Sequence, residues 1–168
     1  GKRKLRDGDI VTVDCGNVYQ GWVADSAITF GVGSISEEAS KLLEATEKSL
    51  QAGIEKMVAG NRIGDVSAAI QVCAESYGFQ VVREYTGHGV GRMMHEGPQL
   101  PNYGVPGRGM LLRAGMTIAL EPMLLVGTYR TRIMPDQWTV CSLDGSLTAH
   151  FEHTVAVTEN GPVILTLP

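Results

Sequence analysis

Cysteine is scarce in this sequence of 168 residues, and the few cysteines form no recognisable pattern. Cys15, Cys73 and Cys141 are far apart, odd in number and without metal-ligand spacing. This arrangement argues against both a disulfide framework and a zinc knuckle. We therefore expect the chain to work in a reducing compartment.

Long apolar runs are also missing. No segment approaches the roughly 18 to 20 apolar residues that a transmembrane helix needs. The beginning of the chain lacks the apolar core of a signal peptide. We expect a cytoplasmic protein without a membrane partner, or one in an organelle whose transit peptide is not part of this sequence.

Clustered positive charge is limited to Lys2, Arg3 and Lys4, and the formal net charge is −4 at pH 7. A nucleic-acid-binding surface normally carries a basic stripe or patch. The sequence thus predicts no nucleic-acid partner. Separately, we expect the protein to be a monomer.

The composition is that of an ordinary globular protein. Hydrophobic residues make up 43% of the chain and charged residues 19%, and the 21 glycines indicate many tight turns. The sequence contains no internal repeat, linker or low-complexity segment. Its length suits one compact domain, so we expect a single domain over residues 1–168.

The order of predicted elements indicates an α+β fold. Residues 9–15 and 22–30 predict a β-hairpin with its turn at Tyr19-Gln20. Ser34 and Ser36 are candidate N-caps, with a capping box at Ser34-x-x-Glu37, for a helix that ends before Gly60. A second helix is predicted from about Asp65 to Tyr77. Further strands are predicted at residues 79–85, 116–124, 138–142, 150–157 and 163–167, with a loop at 87–109. This order favours an antiparallel sheet with helices packed on one face.

Two aspartates interrupt the apolar strands of the predicted hairpin. With the turn at Tyr19-Gln20, Asp14 lies directly opposite Asp25, with the two Cβ atoms about 5 Å apart. A buried pair of carboxylates must share a proton or bind a cation. The alternative is that one aspartate faces solvent, or that a bulge near Gly16 changes the register.

Three more ionisable residues lie in similarly apolar or glycine-rich surroundings. His88 stands in a run of glycines, Glu121 ends an apolar strand, and Glu152 lies within another. Each alone has a structural explanation. Together with the two aspartates they predict a site for two divalent cations, and this donor set suits Co, Mn, Fe or Zn. Two such cations would activate water and polarise a carbonyl, which is the chemistry of amide hydrolysis.

The sequence resembles type I methionine aminopeptidases, metallopeptidases with the pita-bread fold, from about Leu5 to its end. The matching segments, in order, are residues 7–11, 13–14, 24–26, 87–91, 95–98, 121–123, 138–140 and 151–154. The resemblance implies a hydrolase that removes the initiator methionine from nascent proteins and peptides at a dinuclear metal site.

The resemblance also implies a role for each metal ligand. Asp14 would bind one metal ion, His88 and Glu121 the other, and Asp25 and Glu152 would bridge the two. Glu121 would in addition act catalytically, as a proton shuttle.

Three further residues are implied in catalysis or substrate binding. His95 would contact the scissile amide and stabilise its developing charge. Met94, where the family commonly has an aromatic residue, would form one wall of the methionine pocket. Trp138 would line the substrate cleft, although a core tryptophan is an alternative. We expect no site role for His150 or His153, because His153 lies on the strand face opposite Glu152.

Other functions remain open. Members of the resembled family carry a further segment upstream, with a second catalytic histidine, so we expect a chain that is N-terminally truncated relative to them. An Xaa-Pro aminopeptidase or dipeptidase of the same fold uses the same five ligands. Residues 121–123 and 151–154 favour the methionine enzyme. A weakly active or inactive binding module is the third possibility.

Overall fold

The computed structural model describes residues 3–167, so Lys2 of the basic start lies outside the described residues. Within that range there are two α-helices and twelve strands. The helices are α1 (Glu37–Lys56) and α2 (Ile63–Ser76). The strands are β1 (Ile10–Tyr19), β2 (Trp22–Gly31), β3 (Gln80–Val81), β4 (Thr86–Gly89), β5 (Glu96–Pro101), β6 (Thr117–Leu120), β7 (Met123–Leu125), β8 (Thr131–Ile133), β9 (Val140–Ser142), β10 (Thr148–His150), β11 (Glu152–Thr158) and β12 (Gly161–Ile164). None of these helices is both long and apolar enough to cross a membrane.

The main sheet runs in the order β1-β2-β11-β6-β4-β5, with β12 also paired to β11. Every ladder in it is antiparallel. A smaller sheet has the order β10-β7-β3, and β8 pairs with β9 as a separate hairpin. The predicted α+β class with an antiparallel sheet is confirmed.

The turn of the β1–β2 hairpin is not where the sequence predicts it. The turn residues are Gln20 and Gly21, with φ angles of 49° and 76°, so that Tyr19 pairs with Trp22. Two left-handed residues match the twist of a two-residue hairpin, and glycine adopts that conformation at little cost. The predicted turn at Tyr19-Gln20 is therefore wrong, because it leaves Gly21 in the strand.

The corrected turn changes which residues face the two aspartates. Asp14 pairs with Ala27 and Asp25 pairs with Gly16, so the predicted direct pairing of Asp14 with Asp25 is wrong. The register differs from the prediction by two residues, and a shift of two keeps every side chain on its face of the sheet. The two aspartates are diagonal neighbours on one face, about 7 Å apart.

The helices begin close to their predicted starts. Of the two predicted N-cap candidates, Ser36 is the N-cap of α1, and its side chain accepts a hydrogen bond from the Ala39 amide. The Ser34 amide instead donates to Asp7. Helix α2 begins at Ile63, two residues earlier than predicted. A single hydrophobic cluster joins both helices to the sheet, with Leu42, Ile54, Ile70, Ile118, Leu120 and Val155 among its buried members.

Two predicted strands are each divided in two. Residues 116–124 form β6 and β7, which are separated by Glu121 and Pro122, and proline cannot donate a hydrogen bond to a ladder. Residues 150–157 similarly divide at Phe151 between β10 and β11. Strands β6 and β11 belong to the main sheet, whereas β7 and β10 belong to the smaller one. The predicted loop at 87–109 also contains most of β4 and all of β5.

Candidate metal centre

Four neighbouring strands of the main sheet bring the predicted ligands together. Asp25 lies on β2, His88 on β4, Glu152 at the start of β11, and Glu121 directly after β6. The pairing of β2 with β11, of β11 with β6 and of β6 with β4 sets these four strands side by side. Residues far apart in the chain therefore reach one site.

Three of these residues form a compact set of possible metal ligands. Asp25, His88 and Glu152 each offer one ligand atom, and those atoms all lie within 4.8 Å of one another. The three residues are only 8%, 7% and 2% exposed. Glu121 adjoins them, since its Oε1 lies 3.6 Å from His88 Nε2, which is also 3.9 Å from Asp25 Oδ2. This cluster is able to hold a divalent metal ion.

Asp14 is the most exposed of the five predicted ligands. It lies on the same face of the hairpin as Asp25 and lines a cleft together with Glu121. It does not belong to the compact set of three. Its role as a ligand stays a prediction.

The carboxylates destabilise each other's charged forms. Burial raises the pKa of Glu121 to about 8, and the charges of Asp14 and Asp25 add to the effect. Burial also raises the pKa of Glu152 to about 9, with the neighbouring carboxylates contributing next. The pKa of Asp25 is raised by burial and by Asp14. Acids gathered in this way are stabilised in their charged form by a cation.

An unsatisfied oxygen supports the same interpretation. Asp25 Oδ1 is buried and has no hydrogen-bond partner among the described residues. A buried carboxylate oxygen without a partner is costly. Carboxylate oxygens with one imidazole are ligands that divalent transition metals accept. The residues present therefore fit a divalent metal ion.

His95 lies at the edge of this cluster. Its ring centroid is 4.5 Å from that of His88, at an interplanar angle of 53°, and the residue is exposed. His88, His95 and Glu121 line one open cleft. The loop before His95 is held by the Glu96 carboxylate, which accepts hydrogen bonds from the Arg92 and Met93 amides at 2.7 and 2.8 Å. His95 thus opens onto the same cleft as His88 and Glu121, and its predicted contact with substrate stays a prediction.

Met94 packs where Gly16 has no side chain. A Cβ atom on Gly16 would collide with Met94 Cε, and it would lie 3.6 Å from Asp25 Oδ1. The end of the Met94 side chain therefore covers β1 close to the Asp25 carboxylate. Burial is the largest cause of the raised pKa of Asp25. The predicted role of Met94 as a pocket wall stays a prediction.

Trp138 lies on the surface between β8 and β9. It is 85% exposed, so the alternative of a core tryptophan is wrong. Its amide donates to Asp136 Oδ1 in the connection between these strands. The hairpin itself does border the site, because Thr131 of β8 and Val140 of β9 line the cleft next to Asp14. The predicted contact of Trp138 with substrate stays a prediction.

The cleft beside Asp14 and Glu121 has a volume of about 360 Å³, within the range of small-molecule sites. Asp14, Glu121 and His150 line it, so the cleft adjoins the metal cluster. The remaining wall is largely apolar, and it includes Val82, Met123, Leu124, Leu125, Val140 and Ala149. The cleft therefore suits an apolar side chain attached to a polar group.

His150 also lies in the site, although the sequence prediction gives it no role. Its Nε2 atom is 3.9 Å from Glu121 Oε2 and 3.9 Å from Glu152 Oε2, and burial lowers its pKa. The sequence does contain an indication of this position. Residues two apart share a strand face, and His150 precedes Glu152 by two residues. His153 does lie elsewhere, with its Nδ1 2.8 Å from Thr166 Oγ1.

Comparison with known families agrees with this geometry. The sequence pattern of metallopeptidase family M24 matches residues 1–159. The chain belongs to this family. Its M24 membership and its structural neighbours confirm the predicted pita-bread fold.

Similar proteins carry the name methionine aminopeptidase. The chain is 54% identical to a methionine aminopeptidase of Clostridium acetobutylicum, over 98% of this chain and 66% of that protein. A methionine aminopeptidase structure from Thermotoga maritima superposes with a TM-score of 0.96 and 51% identity, again over 98% of this chain and 66% of the other. The dipeptidase PepE of Mycobacterium ulcerans is more distant, with 29% identity and a TM-score of 0.77 over all of this chain and 40% of PepE. This chain thus spans about two thirds of the length of these methionine aminopeptidases.

Proposed function

We propose that this chain carries the metal centre of an aminopeptidase that removes the N-terminal methionine from proteins and peptides, with residues 1–168 forming one catalytic unit. One observation carries the proposal. Asp25, His88 and Glu152 place ligand atoms within 4.8 Å of one another, with Glu121 beside them, in a chain of metallopeptidase family M24. The names of the similar proteins support methionine as the residue that is removed.

The proposed centre holds two divalent ions, which could be cobalt, manganese, iron or zinc. Asp14 would bind one ion, His88 and Glu121 the other, and Asp25 and Glu152 would bridge them. Bound divalent ions lower the pKa of water and polarise a peptide carbonyl.

The protein's own residues would orient the substrate and move the proton. Glu121 borders both the cleft that contains His95 and the cleft that contains Asp14. Its carboxylate would take a proton from the attacking water and pass it to the leaving amine. His95 would donate a hydrogen bond to the scissile amide and stabilise the negative charge that develops there.

The apolar cleft would receive the methionine side chain. The cleft adjoins the proposed ligands Asp14 and Glu121, beside which the peptide backbone would be held. Val82, Leu125 and Val140 also line the cleft, and an uncharged thioether chain fits beside them better than a charged one. Met94 and Trp138 are proposed as further contacts of the substrate.

Peptide cleavage tests the proposal directly. The purified chain is supplied with Mn²⁺ or Co²⁺ and given Met-Ala-Ser and Ala-Pro, and the products are separated by mass. Release of methionine is expected, and the Asp25→Asn variant should release none. Preferential cleavage of Ala-Pro would instead favour the dipeptidase alternative, to which the likeness to PepE points. Metal binding without any cleavage would favour a binding module.

A further inference from the structure

His150 occupies an unusual position between two of the proposed metal ligands. Its Nε2 atom is 3.9 Å from Glu121 Oε2 and equally far from Glu152 Oε2. The same nitrogen is buried and has no hydrogen-bond partner among residues 3–167. A buried polar nitrogen without a partner is costly, and these carboxylates are acceptors close to it.

We propose that His150 is a positioning residue, which donates a hydrogen bond from Nε2–H to the carboxylates of Glu121 and Glu152 and so orients both towards bound metal. The inference rests on the metal centre proposed above. It assigns His150 no contact with the substrate. The hydrogen bond is direct or passes through one water molecule, since a polar pair at 3.9 Å is at the separation where a water often intervenes.

The backbone of His150 is tightly fixed, which a positioning role requires. Thr29 Oγ1 donates to the His150 carbonyl at 2.7 Å and accepts from the His150 amide at 2.9 Å. Thr29 Oγ1 also lies 2.8 Å from Thr12 Oγ1. The Thr29 side chain of β2 thus fixes the backbone at the end of β10 by two hydrogen bonds.

The same residue is tied to both glutamate-bearing segments. His150 pairs with Met123, which lies two residues after Glu121, and it precedes Glu152 by two residues. The ring therefore keeps a fixed relation to both carboxylates. Hydrogen-bond partners of metal ligands typically change metal affinity by 10–100-fold when they are removed.

Three variants of the full chain separate hydrogen bonding from packing. His150→Leu removes the donor and keeps most of the volume. His150→Gln places an amide NH₂ near the position of Nε2, and a neutral amide is a much poorer ligand for a transition metal than imidazole. His153→Leu is the control, because His153 is bonded to Thr166 on the other face of the strand.

Isothermal titration with Mn²⁺ then tests the inference. We expect His150→Leu to weaken Mn²⁺ binding by roughly 10–100-fold, and His150→Gln and His153→Leu to bind like the unmodified chain. Unweakened binding by His150→Leu, or equal weakening in His150→Gln, would overturn the positioning role. If His150→Leu does not fold, His150→Asn replaces it, because its shorter amide does not reach the Nε2 position. Binding by His150→Asn equal to that of His150→Gln would then overturn the inference.

The titration also separates this inference from the proposed function. An unmodified chain that binds no Mn²⁺ would overturn the metal centre itself. An unmodified chain that binds Mn²⁺, with His150→Leu binding equally well, overturns only the role of His150.

Discussion

Gly16 is paired directly with Asp25 across the β1–β2 hairpin, and the side chain that Gly16 lacks leaves the space in which Met94 ends. The three residues form one packing unit beside the metal cluster. Because a methionine end is flexible, a methyl group on Gly16 should push Met94 away and leave the hairpin folded.

Gly16→Ala is therefore expected to displace Met94. The Met94 methyl resonance, labelled with ¹³C and assigned with Met94→Leu, should shift in the variant. The loss of stability should be about 1–3 kcal/mol, typical of overpacking, and Gly16→Ala with Met94→Ala should recover part of it. A Met94 resonance that stays in place would show that the collision is relieved elsewhere.

Without metal, the chain should lose stability as the pH rises. The pKa of Glu121 is about 8 and that of Glu152 about 9 in the folded chain, against an ordinary value of 4.5. The unfolded chain ionises first, so the folded state becomes less favourable between pH 4.5 and about 9. Thermal melting in EDTA across this range should show a falling Tm.

Glu152→Gln provides the control for this pH dependence, because the amide has a similar shape and does not ionise. Its Tm should fall less steeply with pH than that of the unmodified chain. Equal slopes for both proteins would contradict the assignment of the effect to this cluster.

Asp25→Asn should remove both metal binding and turnover. Its metal-free form should be at least as stable as the unmodified chain, because one of the mutually repelling charges is gone. Added Mn²⁺ should raise the Tm of the unmodified chain but not that of the variant. Glu159→Gln, an exposed change at the β11–β12 turn, serves as the control and should respond to Mn²⁺ normally. Normal turnover by Asp25→Asn would refute the dinuclear assignment.

His95→Ala should impair catalysis without loss of metal. Removal of one donor that stabilises a developing negative charge typically lowers kcat by about 10²–10³-fold. His95 is exposed and lies beside the cluster rather than within it, so metal content should be unchanged. Metal analysis and kinetics on Met-Ala-Ser check the two parts separately. A variant that loses metal would place His95 among the ligands instead.

The sequence predicted the elements well where local chemistry decides them. Serines before α1 and acidic residues in its first turn mark its start, and the apolar spacing predicts both helices. The hairpin turn was misplaced because Gly21, with its φ of 76°, decides the turn and the register follows from it. The strand breaks at Pro122 and Phe151 are not predicted, because the apolar pattern continues through both positions. At each break the chain passes between the main sheet and the smaller sheet.

The candidate site was predicted through its unusual residues more than through its geometry. Carboxylates in apolar strands are conspicuous, so Asp25, Glu121 and Glu152 stood out from the sequence alone. His150 did not, although it precedes Glu152 by two residues, because its second neighbour, Glu121, comes close only through the pairing of β10 with β7. The contact of Met94 with Gly16 cannot be predicted from the sequence either, since it joins β1 to a loop that is distant in the chain.

The breaks after β6 and β10 place Glu121 and Glu152 where the main sheet meets the smaller sheet. At Glu121 the chain leaves the main sheet for the smaller one, and at Glu152 it has just returned. Both carboxylates thus stand at the seam between the two sheets. A cation bound by both glutamates would therefore link the main sheet to the smaller one. The metal would stabilise the fold in addition to serving catalysis.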